Sequence, residues 1–153
     1  MSKSFVRGRL LADSYPFRTR LDPQLSDMDV FGHLNNVSIA RLYENGRVRL
    51  HFELFGHDCF ATDYPLKMVV AEQSTRFLAE AMFPASVDVL TGIERVGTSS
   101  YLMHQAMFQT GNCVGLNDCQ MVMVVDKRPH SIPDEVRLRM GSFACVCANQ
   151  LER

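Results

Sequence analysis

Ser26-Asp27-Met28-Asp29-Val30-Phe31-Gly32-His33-Leu34-Asn35-Asn36 runs directly into Val37-Ser38-Ile39-Ala40-Arg41-Leu42-Tyr43-Glu44-Asn45-Gly46-Arg47. The second half contains no proline and stays largely apolar as far as Phe55, so the pattern predicts a helix that begins close to His33–Asn36. The first amide N–H groups of such a helix have no partner within it and carry the positive end of its dipole. They form a place to bind an anion or polarise a carbonyl oxygen. Gly32 suits a tight loop just upstream, and Asp27 and Asp29 fall in that loop. A carboxylate beside an array of amide donors can do chemistry, although aspartates in loops also commonly cap turns.

Outward from this stretch, the strand and helix signals alternate in a definite order. Tyr15, Phe17, Thr19 and Leu21 alternate with Pro16, Arg18, Arg20 and Asp22, the period of a half-buried strand leading into the loop. Gly56 fits a helix stop. Beyond an aromatic-rich loop come four runs of β-branched and apolar residues, about 66–80, 86–97, 99–109 and 114–127, with breaks at Ala81–Pro84, Gly97–Thr98 and Gly111–Cys113. Short connections between long strands predict an antiparallel meander. Pro133 opens a short terminal helix from Asp134 to Met140. The wide apolar coverage of the long helix suits burial against a sheet's concave face. Glu44 and Arg47, three apart on it, are expected to form an ion pair.

Composition narrows the function classes. The 153 residues, 46% hydrophobic and without an extended Gly/Ser/Pro linker, predict a single domain over 15–153 behind an N-terminal arm, 1–14. A net charge of −1 offers no broad basic surface for nucleic acid. No apolar run reaches membrane-span length and the N-terminus lacks the apolar core of a signal peptide, so a cytoplasmic protein with no membrane partner is expected. The five cysteines are an odd number, pointing to reduced thiols, and the pair Cys145-Val-Cys147 has no second Cys/His pair near it to complete a metal site. A calcium loop opening at Asp27 would need oxygen ligands where Phe31 and Ser38 stand. Gly97-Thr98-Ser99-Ser100-Tyr101 lacks the closing glycine of a nucleophile elbow, leaving Ser99 and Ser100 on a strand that faces a pocket or solvent.

The segment Asp27-x-Asp29-x-x-Gly32-His33-x-Asn35-Asn36, followed by Glu44 and Arg47, resembles the signature of hotdog-fold thioesterases related to 4-hydroxybenzoyl-CoA thioesterase. It is also similar to the motif of plant acyl-carrier-protein thioesterases, which have asparagine at Phe31. Weaker similarity continues through Val69–Glu72, Gly97–Ser100, Val122–Asp126 and Ile132–Asp134. The resemblance implies an α+β hotdog fold, an antiparallel sheet of about five strands wrapped around one long central helix. It implies hydrolysis of an acyl-CoA or acyl-carrier-protein thioester, with Asp29 as base or nucleophile, His33 beside it, and the backbone N–H of Asn36 polarising the carbonyl. Asp27 then orders the loop. Asn35, Phe31, Ser99 and Ser100 are candidate substrate contacts, and Phe55, Phe60, Tyr64, Met68 and Phe77 either line an acyl pocket or belong to the core. Ile39 stands where the family usually has tyrosine. No metal or cofactor is expected, coenzyme A being part of the substrate, and a homodimer or homotetramer is expected because a single sheet leaves an exposed edge. The rival reading is a non-catalytic acyl-CoA-binding or regulatory hotdog module, which would keep the pocket without needing Asp29.

Overall fold

The structure, a computed structural model, describes residues 7–146. Its centre is helix α1, Asn36–Phe55. Asn35 caps it by accepting the Val37 N–H at 2.8 Å, and Gly56, at φ 88°, ends it in a conformation that side chains disfavour. The buried residues Ile39, Leu42, Tyr43, Gly46, Arg47, Leu50, His51, Leu54 and Phe55 recur every three or four positions, so one face meets the sheet. That is narrower than the wide apolar coverage expected, since Val37 is exposed and Ala40, Val48 and Phe52 are only partly covered.

Six antiparallel strands, β1 Phe17–Leu21, β2 Lys67–Phe77, β3 Val87–Val96, β4 Ser100–Gln109, β5 Asn112–Val125 and the short β6 Arg128–Pro129, form one sheet curled around α1. Its order is β1-β3-β4-β5-β2, with β6 pairing to β5. The expected meander therefore holds for β3, β4 and β5 only. Residues 78–86 separate β2 from β3, too long for a hairpin turn, and β2 pairs with β5 from Lys67↔Val124 to Phe77↔Gly115 at the far edge. Helix α2, Asp134–Gly141, packs Val136 and Met140 into the core near Leu50, Leu54 and Met103.

Close approach of α1 to the sheet depends on Gly46. A Cβ there would lie 2.5 Å from Val89 Cγ1 and 3.2 Å from Gln105 Nε2. Next to it Arg47 is only 4% exposed, and its guanidinium donates to Gln105 Oε1 at 3.2 Å, Asn117 Oδ1 at 3.4 Å and Gln73 Oε1 at 3.2 Å. The expected Glu44–Arg47 ion pair is absent among the described residues, where Glu44 faces solvent. Three residues advance a helix by about 300°, which leaves this pair straddling the edge of the buried face. One turn on, His51 meets the Tyr101 hydroxyl at 2.8 Å, and burial, reinforced by the Arg47 charge, pushes its imidazole down to about 4.

The outer face of the sheet is covered by the N-terminal segment. Tyr15, Leu10 and Ala12 pack with Leu90, Ala106, Phe108, Leu116 and Cys145, while Arg9, fully buried, pairs with Asp118 at 2.6 Å. Residues 7–14 are thus docked on the sheet; residues 1–6 lie outside the described residues, as does Cys147. In an open helix, alanine for glycine would stabilise by about 1 kcal/mol. Against the stiff Val89 wall the overpacking cost of about 1–3 kcal/mol wins, so Gly46→Ala is expected to lower the thermal midpoint by a few degrees, measured by circular dichroism.

Candidate functional site

The loop before α1 is built by its own backbone. Asp29 N–H donates to the His33 carbonyl at 2.9 Å and Gly32 N–H to the Asp29 carbonyl at 3.2 Å, with Gly32 at φ 86°. This small hairpin is tied down on two sides: Leu34 N–H donates to the Ala81 carbonyl at 2.7 Å, and Asn35 N–H to the Asp27 carbonyl at 2.8 Å. The loop, the helix start and the segment following β2 are therefore one unit.

The two aspartates have different environments. Asp27 is 4% exposed, accepts the Gln24 N–H at 2.8 Å and pairs with Arg41. The Gln24 N–H first, and then the Arg41 guanidinium, hold its carboxyl below the ordinary value of 3.8 against the opposing effect of burial. Asp29 instead opens toward a cavity. Its Oδ1 accepts the Phe31 N–H at 2.9 Å and its Oδ2 lies 3.3 Å from His33 Nδ1. The Phe31 and His33 rings stack at 6.1 Å.

That cavity, about 450 Å³, is lined on one wall by Asp29, Phe31, His33, Leu34, Asn36 and Ile39, and on the other by Phe77, Leu78, Ala79, Glu80 and Ala81. It is apolar apart from two carboxylates, an imidazole and the helix start. Val37 N–H and Ile39 N–H are taken up by Asn35, whereas Asn36 N–H has no protein acceptor among the described residues. An amide donor, a carboxylate and an apolar wall thus converge. Such a set can polarise a carbonyl and deliver a base or nucleophile to its carbon.

Of the residues singled out from the sequence, Asp29, His33, Asn36 and Phe31 come together here. Asn35 stands behind them as the helix cap. Ser99 and Ser100 do not line the cavity. Ser100 pairs with Val122 at one end of β4, while the cavity end of β2, at Phe77, is in register with Gly115 and Met107. Seven residues of strand separate the two ends, roughly 23 Å. Among the aromatic candidates Phe77 lines the cavity, Phe55 is core with Tyr64 and Met68 packed against its cluster, and Phe60 sits near His51 and Phe52. Glu80 went unnoticed in the sequence. It follows a strand pattern with no motif around it, and nothing in its spacing links it to Asp29. Among the described residues no group of three or more His, Cys, Asp or Glu is arranged to hold a metal ion, and no helix is long and apolar enough to cross a membrane.

A family model described as the thioesterase-like superfamily matches residues 23–140. No curated protein matches the chain. Among solved structures, a protein from Bacillus stearothermophilus described as a predicted thioesterase is 28% identical, with TM-score 0.77, covering 84% of this chain and 96% of its own. A thioesterase from Thermus thermophilus, complexed with coenzyme A and zinc, is 23% identical, with TM-score 0.73 and coverage of 84% and 93%. BH1999 gentisyl-coenzyme A thioesterase is 16% identical, with TM-score 0.74 and coverage of 81% and 99%. The last two likenesses are of fold, the hotdog architecture of a sheet curled around a central helix.

Because its folded-state value is depressed, Asp27 contributes stability that is present above 3.8 and is lost as pH falls through the lower folded value. Arg41 is half exposed, which limits the ion-pair part. Asp27→Asn is expected to cost about 1 kcal/mol at neutral pH, a gap that narrows as pH is lowered from about 5 toward 2. Urea midpoints of both proteins across that range measure it.

Proposed function

The chain belongs to the thioesterase-like superfamily, and from that premise we propose that it hydrolyses an acyl-CoA or acyl-carrier-protein thioester in the manner of the 4-hydroxybenzoyl-CoA thioesterase relatives. The observation that carries the proposal is the meeting of the Asp29 carboxylate with the open Asn36 N–H across an apolar cavity. The acyl group enters between Ile39 and Phe77, and the thioester carbonyl oxygen takes the Asn36 N–H and the positive end of α1. Asp29 then attacks the carbonyl carbon, or takes a proton from a water that does so. The C–S bond breaks, the thiolate leaves and is protonated, and water supplies the oxygen of the free acid. His33 holds Asp29 in place from 3.3 Å. A thioester carbonyl is electrophilic enough for this without a metal or organic cofactor. The coenzyme A held by one structural neighbour and the gentisyl-coenzyme A substrate of another support the carrier assignment.

Asp29→Asn keeps size and most hydrogen bonds but removes the basic oxygen, so kcat in a free-thiol release assay should fall about 10²–10⁴-fold. Asp27→Asn should fall less than about tenfold, the equivalent of ~1.4 kcal/mol. A folded Asp29→Asn protein with near-native turnover, or a wild-type protein that binds acyl-CoA without releasing thiol, would replace hydrolysis with the binding-module reading.

The same proposal includes assembly. Among the described residues β2 has one unpaired edge, and large apolar side chains are exposed along it and at the cavity mouth: Val69 43%, Val70 48%, Phe77 56% and Phe31 81%. Pairing β2 with its copy would continue the sheet into a homodimer, cover these side chains and bring the partner to both cavities, with a tetramer formed by a second pairing. Light scattering at micromolar concentration should give at least twice the 17.3 kDa chain mass, and Val70→Lys, which charges the edge, should shift it toward monomer. A monomeric wild-type protein would sink the shared-interface model.

A further inference from the structure

The peptide between Ala81 and Met82 carries a hydrogen bond on each of its two edges. Its carbonyl accepts the Leu34 N–H at 2.7 Å, and its N–H donates to Gln109 Oε1 at 2.9 Å. A trans peptide is planar with its C=O and N–H pointing to opposite sides, so fixing one edge fixes the other. Gln109 Nε2 completes the clasp by donating to the carbonyls of Met82 and Ala85, both at 2.8 Å. The oxygen and both amide protons of this one side chain are thereby engaged. Gln109 is itself held firmly: it is 7% exposed and ends β4, in register with Val87 of β3 and Asn112 of β5.

On the far side of the peptide, Leu34 stands between His33, whose carbonyl takes the Asp29 N–H, and Asn35, which caps α1. A chain of hydrogen bonds therefore runs from β4 through one rigid peptide to the loop that carries Asp29 and to the helix start that carries the Asn36 N–H. We propose that Gln109 is a positioning residue of the site: by orienting the Ala81–Met82 peptide it sets where Asp29 and the Asn36 N–H stand relative to the Phe77–Ala81 wall. The assignment deepens the hydrolysis reading and rests on it for the effect on rate. The acyl wall has a separate anchor, because the Leu78 and Ala79 N–H groups donate to the Val114 carbonyl at 2.9 and 3.1 Å and Phe77 pairs with Gly115. Loss of the clasp thus leaves the acyl wall in place and spoils the aim of the base, an effect on kcat more than on KM.

Gln109→Met keeps length and bulk but offers no such hydrogen bonds, and Met82, 50% exposed, leaves the freed backbone groups to water. Gln109→Asn, one methylene too short to reach, keeps the polarity of the position and is the second variant. Amide hydrogen exchange followed by NMR reads the clasp directly: the Leu34 N–H should exchange at least about tenfold faster, with the Leu50 and Leu54 amides of α1 unchanged. In free-thiol release, kcat should fall about 10–10²-fold with KM within about threefold of wild type. In an Asp29→Asn background the same substitution should change kcat by less than about threefold, because a misplaced base costs nothing once the base is gone. Unchanged Leu34 exchange or unchanged kcat in a folded variant overturns the proposal. So does a kcat loss equal in both backgrounds, the mark of a purely structural role, or a rise in KM alone. A wild-type protein that releases no thiol fails the hydrolysis reading by itself, and the Leu34 exchange then decides whether Gln109 holds the acid loop.

Discussion

Seating of α1 against β3 at Gly46 is the contact on which the rest of the molecule depends. With no side chain at that position, Val89 reaches the helix backbone, and the same close approach brings Arg47 within hydrogen-bonding distance of Gln105, Asn117 and Gln73. A buried guanidinium without such acceptors would cost several kcal/mol. Three amide oxygens from β4, β5 and β2 meet its need, so the helix is held in rotation as well as in distance. Its N-terminus then falls where Leu34 can bond Ala81, and the cavity closes between the helix start and the segment that follows β2.

The division of labour between Asp27 and Asp29 follows from where this seating puts them. Two residues apart, they share a loop but not an environment. Asp27 turns inward to the Gln24 N–H and Arg41 and is consumed by bracing. Asp29 faces the cavity, held by one amide and one imidazole that leave lone pairs for chemistry. A rigid neighbour and an available carboxylate are what a base or nucleophile needs, since a misplaced group loses rate faster than a weak one. Glu80 stands on the opposite wall of the same cavity.

Local features were legible in the chain itself. Asn35 as cap, Gly56 as stop and Gly32 at positive φ each answer a demand of a few neighbouring residues, the kind of rule that sequence expresses directly. The four strand runs and the terminal helix lie within a few residues of where periodicity puts them. Asp29, His33 and Asn36 share a site because eight residues contain them all, and a tight loop cannot separate them far.

What the sequence determined by itself, then, was the set of elements and the grouping of residues at the start of α1, because both are written in short-range spacing. Tertiary structure alone decided which strands are neighbours, where Arg47 goes, and what faces Asp29. Position 47 read as half of an ion pair within the helix, because i,i+3 spacing cannot tell a pair on one face from one that straddles a buried edge. β2 read as part of a meander, because strand pattern carries alternation but not partner, and only the curl of the sheet around the helix places β2 beside β5. Ser99 and Ser100 lie at the far end of β4, and Glu80 lies across from Asp29, for the same reason. Distances between residues remote in the chain are set by packing of the whole sheet on one helix, and no local signal encodes them.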